Sequence, residues 1–550
     1  MQTAIRARVS EETITKVTRL FNGSLFDVLT ELLQNARRAG ATGVDVNWQR
    51  APGEPDGSTI IQISVTDDGN GIADPQSVLS LGESSWDANI AGEDPAGMGF
   101  FSLAGRDVII TSRARGHRPW SAHIKPHDWT GETDIAVAKA VTPIGTTIHF
   151  RHDLAGSSHV HAALGKAAKY FPLPVRLNGE PLDQTSWTAN AVHTSKWRGS
   201  TIAVVAINQR YHRETLNFFG LTISADLPVI NDTHHSLWGV VVDIAPNSGL
   251  SLVLPARKEI VQNHAYEELK TAATRAIYEA IAQMPAHHLP YDKWLEARSL
   301  GIDLPEAAPL LHSWTPDTAD SGTRTHGDLI DAQHAIVVSE LYPLEAHSLA
   351  RAIALNDPAT ASLKLVASDG HYRGYSWYDA LPLLEAPLFE IDLPDQSVTL
   401  ENGLVSDDST GSQLARAIRM VLTTTNTTEP MMLVLDTDLA ATQSEEAWWM
   451  DDITVFSTKT DTLNPIDLAG LLEAALFRYN EDCEADSYDT QLSNFQDEAM
   501  TTAIALLGTR ANLLAHRLMH AINPIRWDLA PDESITITMT HQGVDVQIKP

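Results

Sequence analysis

The segment FNGSLFDVLTELLQNARRAGATGVDV, residues 21–46, decides how the rest of the chain is read. Leu25, Val28, Leu29, Leu32 and Leu33 recur at helical spacing, which predicts an amphipathic helix over Ser24 to Arg38. Gly40 is placed to end it. Glu31 and Asn35 are four apart in this helix, so their side chains share a face, one turn from each other. A carboxylate and a carboxamide stacked in this way can polarise a water and hold a hard cation side by side. Taken alone, such a pair is ordinarily solvated surface. Its meaning depends on the residues downstream of it.

Downstream, glycine punctuations come in a fixed order. Ile60 to Ile72, IIQISVTDDGNGI, alternates like a strand and then breaks at Asp67-Asp68-Gly69-Asn70-Gly71. After a polar interval comes Gly97-Met98-Gly99-Phe100-Phe101-Ser102, running into a short helix and a strand over Asp107 to Ser112. Gly145-Thr146-Thr147 then opens the strand Ile148-His149-Phe150. The order ELLQNA, DDGNG, GMGFFS, GTT resembles the GHKL ATPase superfamily: type II topoisomerases, ninety-kilodalton heat-shock chaperones, histidine kinases and MutL mismatch-repair proteins. Each motif is weak alone, and their order within about 130 residues carries the resemblance. AGATGVDV is most similar to MutL, and GMGFFSLAGRDVIITSR to the heat-shock chaperones.

The resemblance implies roles residue by residue. Glu31 matches the general base that activates the water attacking the γ-phosphate of ATP, and Asn35 matches the magnesium ligand. Asp67 matches the adenine reader, a carboxylate that accepts from the exocyclic amine. Gly69 and Gly71 match the turn that lets the backbone approach the base. Gly97, Met98, Gly99 and Phe100 match the phosphate-side end of the ATP lid, with polar Ala73 to Ala96 as the lid itself. Thr146 matches the hydroxyl supporting Asp67 and the adenine. The family often carries an acid three residues after the asparagine, where this chain has Arg38. That departure bears on catalysis more than on nucleotide binding.

The chain has 550 residues, which points to roughly three to four domains. Its 43% hydrophobic content is normal for packed structure. The N-terminal residues lack the apolar run of a secretory signal, and no apolar stretch approaches the roughly 20 residues that cross a bilayer. A cytoplasmic protein with no membrane association is expected. The single cysteine, Cys483, excludes an internal disulfide and a cysteine-based zinc site. Of the net charge of −31, residues 291–550 carry about −27. So acidic a half repels phosphate backbones, which makes nonspecific nucleic-acid binding there an unfavourable reading. Arg113, Arg115 and Arg118 form a local basic patch, read first as a solvated hairpin turn.

The expected fold class is multidomain α/β and α+β. Residues 1–160 are expected to form a Bergerat-type sandwich of a mixed sheet against helices. Residues 161–285 are expected to form a transducer-like α+β domain, with strands over Thr201 to Ile207, Leu221 to Leu227 and Gly239 to Ile244. A helical run is expected from Leu252 to Ile281. At its start Arg257 and Lys258 match the basic residue that relatives send to the γ-phosphate, and either would neutralise charge developing there. Residues 286–330, rich in proline and small polar residues, read as a linker or irregular connection. The histidines at 159, 161, 234, 235, 287 and 288 lack metal-ligand spacing and read as structural or solvated.

Residues 331–550 read as an acidic α/β region of unknown role. Helices are expected over Gln413 to Leu422 and Ile466 to Tyr479, and a long amphipathic helix over Leu492 to Ile522, broken at Gly508 and serving as core or dimer contact. The chain should close in a hairpin, ITITMTHQGVDVQIK. The reading as a whole is an ATP- and magnesium-dependent switch that remodels protein partners in a chaperone-like way, with a homodimer expected on closure. Its alternatives are a switch subunit of a DNA-transaction or bacterial immunity system, and a nucleotide sensor with little turnover.

Overall fold

A computed structural model of the protein describes residues 24–51, 59–79, 99–130, 133–153, 158–207, 214–232, 236–253, 259–316, 327–406, 411–427, 430–442, 450–481 and 486–549. The chain divides into two compact units, Met1–Pro305 and Glu306–Pro550.

In the first unit, helix α1 spans Leu25–Arg38. It starts at Ser24, whose hydroxyl accepts from the Asp27 N–H while the Asp27 carboxylate accepts from the Ser24 N–H, so two otherwise orphaned donors are satisfied reciprocally. It stops in a Schellman turn. The Gly40 N–H donates to the Arg37 carbonyl at 2.9 Å and the Ala41 N–H to the Ala36 carbonyl at 3.1 Å, with Gly40 at φ +71°. Leu25, Val28, Leu29, Leu32, Leu33 and Ala36 are buried, each large side chain contributing roughly 1.5–3 kcal/mol.

That face packs on a mixed eight-stranded sheet. Its strands are β1 (Val44–Arg50), β2 (Ile60–Asp67), β3 (Val108–Arg113), β4 (Trp120–Ile124), β5 (Val137–Lys139), β6 (Gly145–Asp153), β7 (Val175–Leu177) and β8 (Glu180–Pro181), ordered β5-β4-β3-β6-β2-β1-β7-β8. β1 and β7 run parallel and the other neighbours antiparallel. In β2 the alternation places Ile61, Ile63 and Val65 in the core. Helix α2, Ser158–Ala168, lies beside α1 and adds Val160, Leu164, Ala167 and Ala168. The register that matters later pairs Asp67 with Val44 on one side and with Thr146 on the other.

A second sheet comes next, of β9 (His193–Trp197), β10 (Ser200–Ile207), β11 (Leu216–Phe218), β12 (Leu221–Ile223), β13 (Ile230–Asp232) and β14 (Ser236–Asp243). Helix α3, His264–Ile281, packs across β9, β10 and β14. It starts later than the expected run from Leu252. Leu252 and Ile260 instead form an antiparallel bridge, with the Val253 N–H on the Glu259 carbonyl at 2.8 Å. The backbone groups a helix would need are spent on that bridge, and Asn263 supplies the cap.

The stretch expected to be an irregular connection also carries order. Pro290 precedes helix α4, Tyr291–Ser299, as a proline does where a helix begins. Trp294 is buried, and its indole donates to the carbonyls of Leu304 (3.0 Å) and Pro305 (2.9 Å). The boundary between the two units falls just after these residues.

The second unit is built on an eight-stranded mixed sheet centred on Ala417–Thr425, which pairs with Leu388–Asp392 and Met432–Thr437. The helix expected over Gln413 to Leu422 is therefore a correction. Ile418, Met420, Leu422 and Thr424 are buried at every second position, a strand period, and the partner strands on both sides enforce it. Helices Pro465–Leu476 and Tyr488–Leu507 form a separate core with Phe477, Phe495, Ala499 and Ala503. Gly508 ends the second of these, and the helix beyond it, Arg510–Ile522, buries no residue. So the expected long helix is core in its first half and solvated in its second. The closing hairpin, Ser534–Thr540 with Gly543–Lys549, is exposed.

Asp438 is fully buried in this unit. Its carboxylate takes two N–H groups of Arg351, the Nε at 2.7 Å, and accepts from Thr460 (3.2 Å) and Thr462 (3.3 Å). Removing one partner of such a pair strands the other charge. Arg351→Met should therefore cost roughly 3–5 kcal/mol, read as a lowered denaturant midpoint of the full chain. An unchanged midpoint would show that the Arg351–Asp438 pair does not hold the helix Pro343–Leu355 to the bend at Asp438.

Candidate functional site

The turn Asp67 to Ile72 is held from three sides. The Asn70 N–H donates to the Ala39 carbonyl at 2.8 Å, which ties the turn to the C-terminus of α1. Asp68 accepts from the N–H groups of Thr42 (2.7 Å) and Gly43 (3.4 Å) and from the Thr42 hydroxyl, so it pins the segment leading into β1. These bonds, the Thr42 hydroxyl first, hold the Asp68 carboxyl below the usual range. On the third side, Ser112 of β3 accepts from the Ile72 N–H at 2.8 Å, and the Trp120 indole donates to the Ile72 carbonyl at 2.9 Å.

Glycine is required here by approach. At Gly71, φ +69°, a Cβ would lie 2.1 Å from the Arg113 carbonyl oxygen. At Gly145, φ +127°, it would lie 2.1 Å from the Asp67 carbonyl oxygen. Gly69 likewise abuts Ala39, its notional Cβ 2.7 Å from the alanine's. The missing side chains let the turn close on α1, β3 and β6.

Asp67 is left half-buried in the centre. Its Oδ1 accepts from the Gly69 N–H at 2.9 Å. Burial pushes its carboxyl up to about 6; the Gly69 N–H opposes this, neighbouring Asp68 adds to it, and the Thr146 backbone opposes it. The Thr146 hydroxyl lies 3.0 Å from Ser112 Oγ, which itself donates to the Gly145 carbonyl at 3.0 Å. Thr146 therefore meets Asp67 through its backbone, while its hydroxyl joins a buried chain with Ser112.

Glu31, Asn35 and Arg38 recur at i, i+4 and i+7 on one half-exposed stripe of α1. The Arg38 guanidinium donates to Asn35 Oδ1 at 3.3 Å. Gln34, beside this stripe, is buried and donates to the carbonyls of Phe218 (3.5 Å) and Phe219 (2.7 Å), between β11 and β12 of the second sheet. The Arg37 guanidinium lies over the Phe219 ring at 3.8 Å. The helix that bears Glu31 is thus bonded to the neighbouring sheet. Gln34 and Arg38 also line a cavity walled by Phe219, Ile244, Pro246 and Leu252.

Gly99 begins a short helical turn, Gly99–Leu103, packed on α1. Phe100 stacks at a tilt on Trp129, ring centres 5.8 Å apart, and Ser102 is buried with no partner for its hydroxyl among the described residues. Gly97, Met98, Arg257 and Lys258 lie outside the described residues. Asp68, Ser112 and Gln34 are the site residues that sequence reasoning missed. Ser112 had a signal: it falls on the buried phase of β3, in line with Val108 and Ile110. Among the described residues no group of three His, Cys, Asp or Glu gathers to hold a metal. His287 is instead a core residue, its Nε2 on the Pro305 carbonyl at 2.8 Å.

Residues 23–155 match the family model of the histidine kinase-, DNA gyrase B- and HSP90-like ATPases. The N-terminal domain belongs to the GHKL ATPases. This is an ATP-binding fold. No curated protein matches the chain in sequence. Among solved structures, the Aquifex aeolicus MutL ATPase domain complexed with ADP is similar at 15% identity over 40% of this chain and 92% of that one. The TM-score of that match is 0.25. No helix among the described residues is long and apolar enough to cross a membrane.

The raised Asp67 carboxyl has a definite sign in stability. Folding lifts it from 3.8 to about 6, so the folded state binds more proton between those values. The stability it contributes is full below pH 3.8 and is lost as pH rises through about 6. Relative to Asp67→Asn, the nucleotide-free protein should lose about 3 kcal/mol across that window. Parallel profiles for the two proteins would place Asp67 in water instead.

Proposed function

We propose that the protein is an ATP-driven conformational switch that remodels a protein partner in a chaperone-like way. The observation that carries the reading is the glycine-cornered turn holding Asp67 half-buried against the end of the helix that bears Glu31 and Asn35. A desolvated carboxylate with one oxygen already on a backbone N–H suits a neutral donor such as the exocyclic amine of adenine. A guanine would face it with an acceptor and leave it unpaired, which is costly. In this reading Gly69, Gly71 and Thr146 shape that pocket, and Gly97, Met98, Gly99 and Phe100 serve the phosphates.

Glu31 is the proposed base for the attacking water. Asn35 is the residue that would hold magnesium, whose contribution there is to neutralise polyphosphate charge. Its Oδ1 is engaged by Arg38, so the donor set does not by itself favour the metal. Arg257 or Lys258, from the domain proposed over residues 161–285, is the candidate for a second cation at the γ-phosphate. Gln34 and Arg37 supply the mechanical link, because a shift of α1 moves the Phe218–Phe219 turn with it. Closure into a homodimer belongs to the same proposal. The Arg38 contact favours one second reading, a nucleotide sensor that binds ATP and turns it over little.

Glu31→Ala should keep ATP affinity within about threefold of wild type while turnover falls at least about 100-fold, measured by equilibrium binding and phosphate release. Asp67→Asn should weaken binding by about tenfold or more. Turnover that survives Glu31→Ala would move the base elsewhere. Tight binding without turnover in wild type would establish the sensor reading.

A further inference from the structure

We infer that Arg38 is a phosphate-contacting residue that takes over the charge neutralisation a divalent cation would supply at Asn35, so that this chain binds ATP with little dependence on magnesium. The inference rests on the ATP-binding reading of the site and specifies what that site recognises.

Three observations converge on Arg38. It stands one turn beyond Asn35 on the stripe that bears Glu31, and it is half-exposed. Its guanidinium reaches Asn35 Oδ1 at 3.3 Å, the hard oxygen a cation would need. It directly precedes Ala39, whose carbonyl holds the Asn70 N–H and whose side chain abuts Gly69. The adenine-side turn and the guanidinium are therefore joined through one residue of backbone.

The chemistry rests on charge and geometry. A guanidinium is charged at every working pH and presents parallel N–H donors that match two phosphate oxygens. With Arg38 bonded to its amide oxygen, Asn35 offers a divalent cation a lone pair already in use. The metal would also sit beside a fixed positive charge. Magnesium tolerates poor geometry badly and gives up its waters reluctantly, so a single contested ligand is a weak inducement. A polyphosphate meets the opposite situation, because the Arg38 guanidinium offers it a fixed positive charge and a fork of donors.

The test is equilibrium binding of ATP to the full chain with excess magnesium and with EDTA, for wild type, Arg38→Asp, Arg38→Lys and Asp67→Asn. Wild type should bind within about threefold in the two conditions, while Arg38→Asp should bind in EDTA about tenfold or more weakly than with magnesium. Arg38→Lys keeps the charge and loses the fork, and should fall between them. Because Arg38 is half-exposed, both Arg38 variants should melt with wild type, and Arg38→Lys carries the test if the acid variant does not fold. Wild type that loses about tenfold or more in EDTA, or an Arg38→Lys that matches wild type in both conditions, overturns the inference. If Asp67→Asn binds like wild type, or wild type binds no ATP, the nucleotide reading itself falls, and this inference with it.

Discussion

A carboxylate held out of water without a full complement of donors is the constraint on which the first unit turns. Asp67 accepts from the Gly69 N–H at 2.9 Å and meets the Thr146 backbone, yet burial raises it to about 6. Everything around it keeps it there: α1 through Ala39, β3 through Ser112, and β6 through Thr146 and Gly145. A site built this way is less stable than it need be. Glycines at 69, 71 and 145 make the enclosure tight enough for that to matter.

Helix α1 is the shared beam of the arrangement. One face is core, its N-terminus is capped by Ser24, and its C-terminus is closed by a Schellman turn that hands the chain to β1. The stripe left over carries Glu31, Asn35 and Arg38, while Gln34 and Arg37 engage the second sheet at Phe219. Five polar residues thus serve two destinations from one rigid element. Phe219 adopts φ +55°, an unusual conformation for a bulky residue, and Gly220 beside it at φ +100° closes the turn against Phe171. A turn made this way has few alternative shapes.

Much of the candidate site was legible because its signals are local. The period of α1, its stop at Gly40, the alternation of β2 and the break at Asp67–Gly71 each depend on residues within a turn or two of one another. The misreadings share the opposite cause. Ala417–Thr425 has enough Met and Leu to suggest a helix, and its pairing with strands at 388–392 and 432–437 imposed the period of two. The stretch from Leu252 carries helix formers, yet the bridge to Ile260 claimed its backbone. Pro290 reads as a breaker and is in fact a starter, a difference set by Trp294 packing under Leu304 and Pro305.

By itself the sequence determined the order of the four motifs, the residue types that could meet a nucleotide, and the amphipathic helix that presents two of them. Those depend on chemistry and spacing along the chain. Only the tertiary structure decided that Asp68 would be spent on Thr42 rather than on a ligand, that the Thr146 hydroxyl would turn to Ser112, and that Arg38 would take the oxygen of Asn35. Each of these is a choice among hydrogen-bond partners. Such choices are settled by which donors and acceptors the packed sheet and helix bring within about 3 Å of each other, a distance no spacing in the sequence records.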